Sequence, residues 1–86
     1  MKPAEIKLIR KDSPTGEVYY EIWFNGAVLV QKISYTQGQY TVGVMVKTLG
    51  SMGFITTTTE AYPAGGLFIR LNPMEVVGET QNSTAS

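Results

Sequence analysis

The chain has 86 residues, of which 43% are hydrophobic, with seven Lys plus Arg against seven Asp plus Glu and neither Cys nor His. A chain this short supports one core, and its composition is that of a folded domain rather than a disordered segment. The missing Cys and His exclude disulfides and thiolate nucleophiles and remove the commonest zinc ligands and general acid–base group, while zero net charge gives no long-range pull toward phosphate backbones or anionic membranes.

Residues Glu5 to Lys11 alternate as a strand does, with Ile6 and Leu8 on one side and Lys7, Ile9 and Lys11 on the other. Asp12 to Gly16, "DSPTG", is a turn: Pro presets φ, Asp and Ser bond nearby backbone, and Gly supplies a positive φ. Glu17 to Phe24 is rich in β-branched and aromatic residues, and Asn25-Gly26 is the strongest short-range hairpin signal in the chain. Two hairpins in succession predict a three-stranded antiparallel meander.

A two-residue turn at Asn25-Gly26 pairs Phe24 with Ala27, Trp23 with Val28, Ile22 with Leu29 and Tyr19 with Lys32. Closing the first turn with Lys11 opposite Glu17 sets Ile9 against Tyr19 and Lys7 against Glu21. The two registers agree in parity. One face then collects Ile6, Leu8, Val18, Tyr20, Ile22, Phe24, Leu29 and Ile33, a predicted core. The other collects Ile9, Tyr19, Trp23, Val28, Val30 and Lys32 among charges, with Lys7–Glu21 and Lys11–Glu17 as cross-strand pairs of opposite sign.

Ser34 with Gln37 and Thr36 with Gln39 form two overlapping capping boxes, and Val42, Met45, Val46 and Leu49 follow the i, i+3, i+4, i+7 spacing. A helix over about 36–50, packed on one face of the sheet, is the expectation, with Gly50 and Gly53 placed to stop it. A strand is the competing reading, because Tyr40, Val42, Val44 and Val46 also alternate and Gly43 weakens a helix. Phe54 to Glu60 is a strand by propensity, "AYPAGG" turns the chain, and Leu67 to Leu71 returns as the second arm of a C-terminal β-hairpin ended by Asn72-Pro73. The expected organisation is one α+β domain over 1–74 and a flexible tail over 75–86 that lacks large apolar residues in its second half.

No run approaches the roughly 18 apolar residues of a membrane span and no signal-peptide pattern stands at the start, so a cytoplasmic location is expected. The carboxylates Glu5, Asp12, Glu17, Glu21, Glu60, Glu75 and Glu79 show no convergent spacing, and the abundant Ser and Thr have no partner base. The glycines match neither phosphate-loop pattern. Catalysis, metals and cofactors are therefore not expected.

What the sequence nominates is the outer sheet face. Tyr19, Trp23, Val28, Val30 and Ile9, with Lys32 beside them, make an apolar patch ringed by charge, and Trp and Tyr are common anchors of protein interfaces. Either the C-terminal hairpin or Val76 and Val77 cover this patch, or a second copy does, or a different partner does. The expected function is a small protein-binding module, an adaptor or inhibitor of the size phages and mobile elements encode, that also forms homodimers. Two alternatives stand beside it: a self-assembling structural subunit, and a single-stranded nucleic-acid binder. The second would stack bases on Tyr19, Trp23 and Tyr62 and set phosphates against Lys7, Lys11 and Lys32. Its weakness is that the proposed registers neutralise Lys7 and Lys11.

Overall fold

A computed structural model describes residues 2–74. Strands β1 (Ala4–Asp12), β2 (Val18–Phe24) and β3 (Ala27–Ile33) lead into helix α1 (Tyr35–Ser51). Strand β4 (Phe54–Tyr62), a 3₁₀ turn (Pro63–Gly65) and strand β5 (Gly66–Pro73) follow. The protein is α+β, and its five strands form one antiparallel sheet in the order β3-β2-β1-β5-β4. The expected tail over 75–86, including Val76 and Val77, lies outside the described residues.

The C-terminal hairpin extends the meander instead of covering it. β5 pairs with the open edge of β1, setting Ala4 against Leu71, Ile6 against Ile69 and Leu8 against Leu67. This satisfies the second row of β1 backbone groups and joins three aliphatic stripes on one face. The first strand in the chain thereby becomes the middle strand of the sheet.

Local chemistry fixes the turns. Asn25 (φ 51°) and Gly26 (φ 86°) supply the two left-handed residues that a twisted two-residue hairpin requires. Asn25 also ties this turn to β1, accepting at Oδ1 from the Glu5 N–H (2.8 Å) and donating its own N–H to the Glu5 carbonyl (2.9 Å). Of the two capping boxes the first is used: the Gln37 N–H donates to Ser34 Oγ (3.1 Å) and the Ser34 N–H to Gln37 Oε1 (3.5 Å). The strand alternative for Tyr40–Val46 is thus overturned, because helical spacing turns Val42, Met45, Val46 and Leu49 onto the sheet together.

The core lies between α1 and one sheet face, where Ala4, Ile6, Leu8, Ile22, Ile69 and Leu71 meet Val42. Both Gly38 of α1 and Gly66 of β5 approach Leu8 closely. A Cβ on Gly38 would stand 2.6 Å from Leu8 Cδ1, and one on Gly66 would overlap the Leu8 carbonyl oxygen.

Three sequence expectations change. The β1–β2 register is displaced by two residues, so Lys7 faces Trp23, Ile9 faces Glu21 and Lys11 faces Tyr19. A two-residue shift preserves every side-chain face. On β3 the ladder runs as expected through Trp23–Val28, then slips twice, so that Ile22 faces Val30 and Tyr20 faces Ile33. Bulges at these slips turn Val30 toward the core, leave Leu29 58% exposed, and set Lys32 at φ 58°. Val18, also placed in the core by alternation, is 48% exposed because α1 does not reach the end of β2.

Candidate functional site

The face opposite α1 takes one side chain from each strand in a row: Val28, Trp23, Lys7, Phe68 and Glu60. Each neighbour in this row is a direct cross-strand partner, close enough for side-chain contact. Along the strands, Ile9 and Tyr19 lie on the same face by period-two alternation, and Tyr62, opposite Gly66, brings a fourth ring. Trp23, Lys7, Ile9, Tyr19, Phe68 and Tyr62 are half-buried, Lys11 is exposed, and Val28 is 42% exposed. Among the described residues no element lies over this face, since α1 packs on the other.

Lys7 stands at the centre of the row. Its Nζ is 5.6 Å from the Tyr62 ring centroid, within cation–π range, and Trp23 and Phe68 flank it on the adjacent strands. The two nearest glutamates are engaged elsewhere. Glu5 accepts from Arg70 Nη2 at 2.6 Å and from Nε at 3.2 Å, and Glu21 Oε1 accepts from the Trp23 indole N–H at 3.0 Å. Among the described residues, no carboxylate oxygen lies within 4 Å of Lys7 or Lys11.

Glu21 is 8% exposed, the one buried charged residue among those described. Its bond to Trp23 gives a buried carboxylate a donor and restrains the indole against rotation. The Glu5–Arg70 pair forms a polar border at one end of the face, and Lys11 opposite Tyr19 lies at the other. No three metal-ligating side chains of the His, Cys, Asp and Glu type come together among the described residues. No described helix is long and apolar enough to cross a membrane.

Of the residues nominated by sequence, Ile9, Tyr19, Trp23, Val28, Lys7, Lys11 and Tyr62 share this face. Val30 does not, because the bulge turns it to the core side, and Lys32 stands off the ladder, lining a recess beside the first turn with Ser13, Glu17 and Tyr19. Sequence reasoning missed Phe68 and Glu21. Phe68 and Arg70 alternate with Leu67, Ile69 and Leu71, which signals one polar-aromatic side of β5, but which strand they would face depended on the β1–β5 pairing. No known protein family, characterised protein or solved structure matches the chain significantly.

Proposed function

We propose that the protein is a non-catalytic binding module whose open sheet face takes a protein partner. The observation that carries this is the uncovered row Val28–Trp23–Lys7–Phe68 with Ile9, Tyr19 and Tyr62 around it: aromatic anchors and aliphatic surface with a charged border at Glu5–Arg70. Interfaces are built this way, with a few large rings supplying most of the affinity and polar groups at the rim excluding water. The indole is pre-oriented by Glu21, so less rotamer freedom is lost on binding. An adaptor or inhibitor needs nothing further, and a cytoplasmic setting suits a chain without cysteine.

Host proteins recovered on the immobilised chain, compared with those recovered on Trp23→Ala, test this reading. Loss of a specific band with the variant is expected, and identical recoveries would mean that another surface binds.

One observation favours a second reading. Lys7 and Lys11 face aromatic rings across the ladder rather than Glu21 and Glu17, so the neutralisation expected from sequence is absent and two cations stand among four rings. Single-stranded nucleic acid is bound by such surfaces, with bases on rings and phosphates on lysines. Trp23 is the only tryptophan, so its fluorescence reports directly. A quench by oligonucleotide that weakens with salt would favour this reading over the first, and no response at low salt would remove it.

A further inference from the structure

The two edges of the sheet are protected unequally. An edge strand offers unpaired N–H and C=O groups to any incoming strand, and bulges, lysines and prolines are the usual deterrents. On β3 the ladder slips twice within seven residues, and Lys32 adopts a left-handed conformation near its end. β4, the opposite edge, has nine residues, one slip near Thr57, no Lys, Arg or Pro, and Glu60 as its one charge. From Thr58 to Tyr62 it pairs residue for residue with β5. Among the described residues nothing pairs with its outer side.

We propose that β4 pairs antiparallel with β4 of a second copy of this chain, joining two five-stranded sheets into one of ten strands about a twofold axis. Three observations select a second copy as occupant. The strand carries four consecutive threonines, Thr56 to Thr59, and an antiparallel self-pairing sets threonine against threonine, a favourable cross-strand combination. An axis through Thr58 sets Thr58 opposite its own copy, Thr57 opposite Thr59 and Glu60 opposite Thr56, so the like charges of the two copies do not meet. The formal charge of zero means that two copies approach without long-range repulsion.

The axis of an antiparallel strand pair is perpendicular to the sheet. Both open faces therefore fall on one side and both α1 helices on the other, and the two aromatic rows become one extended surface. The dimer does not depend on what that surface binds.

The absence of cysteine gives a direct test. Directly opposed residues of antiparallel strands have Cα atoms about 4.5–5.5 Å apart, within disulfide range, so Thr57→Cys, Thr58→Cys and Thr59→Cys, made singly, bracket the axis. At least one should oxidise to a covalent dimer about tenfold faster or more than Gln31→Cys on β3, since only that pair holds its thiols at bonding distance. Sedimentation of the unmodified chain should give the dimer mass. Thr57→Lys with Thr59→Lys should give the monomer with an unchanged far-ultraviolet dichroism spectrum; if that variant unfolds, the cross-linking pattern decides alone. A monomer at every concentration overturns the proposal, as does equal cross-linking at Gln31. A dimer that Trp23→Ala splits and the β4 variants leave intact would also overturn it, by placing the contact on the open face.

Discussion

The same five strands present two different chemistries on their two faces. Toward α1 they turn Ala4, Ile6, Leu8, Ile22, Ile69 and Leu71, all nearly inaccessible, and among these β1 and β5 contribute only aliphatic residues. Away from α1 they turn Trp23, Tyr19, Phe68 and Tyr62, with Lys7 among them and Glu5–Arg70 alongside. Branched aliphatic side chains fill space without needing hydrogen bonds, whereas tryptophan and tyrosine combine contact area with a polar atom. The difference separates the face that holds the domain together from the face available for contact.

That separation predicts unequal responses to truncation. Ile22 is fully buried against α1, and Ile22→Ala should lower unfolding free energy by about 2–5 kcal/mol through lost transfer energy and the cavity left behind. Trp23, its neighbour on the other face, is half-buried, and Trp23→Ala should cost well below that despite removing more atoms. Urea denaturation of the two variants makes the comparison, and equal losses would show that the open face is part of the core.

The second prediction concerns the seam that makes β1 central. Gly66 allows β5 to approach the Leu8 carbonyl, and any Cβ there must push backbone apart, so Gly66→Ala should destabilise by about 1–3 kcal/mol. Gly38 approaches the same residue from the helix, but a Cβ there clashes only with the end of the Leu8 side chain, with Ile33 Cδ1 at ordinary contact distance, and alanine gains about 1 kcal/mol of helix propensity. Gly38→Ala should therefore be much the milder in thermal melts. If the two variants melt alike, the tightness of the β1–β5 seam is not what positions Lys7 beside Phe68.

How much of this was legible follows from the range over which each signal acts. Asn25-Gly26 and Ser34 with Gln37 are local, and both the hairpin and the helix formed where those residues stand, the helix within one residue of its expected ends. Face assignment on β1 and β2 survived a wrong register because the displacement was two residues, an even number. Val30 and Leu29 exchanged environments because a bulge adds one residue, and nothing in "AVLVQKI" announces a bulge. The pairing of β5 with β1 joins residues about 60 positions apart, as Ile6 with Ile69 shows, and it brought Phe68 to Lys7 where no local pattern could.

The smallest expected effect belongs to the border of the open face. Arg70 and Glu5 are cross-strand partners bonded through two guanidinium nitrogens, yet their side chains remain 46% and 35% exposed. Water and salt screen such a pair, and its contribution to stability should be about 0.2–1 kcal/mol, which Glu5→Gln would remove in part. The substitution matters more for the field over the face, because it leaves Arg70 without its carboxylate near Lys7. If the face binds nucleic acid, Glu5→Gln should tighten binding and steepen its salt dependence, while a protein partner held by Trp23 and Phe68 should show little change. Titrations of Trp23 fluorescence at two salt concentrations, with stability followed in parallel, distinguish a border that tunes the ligand from one that only closes the sheet.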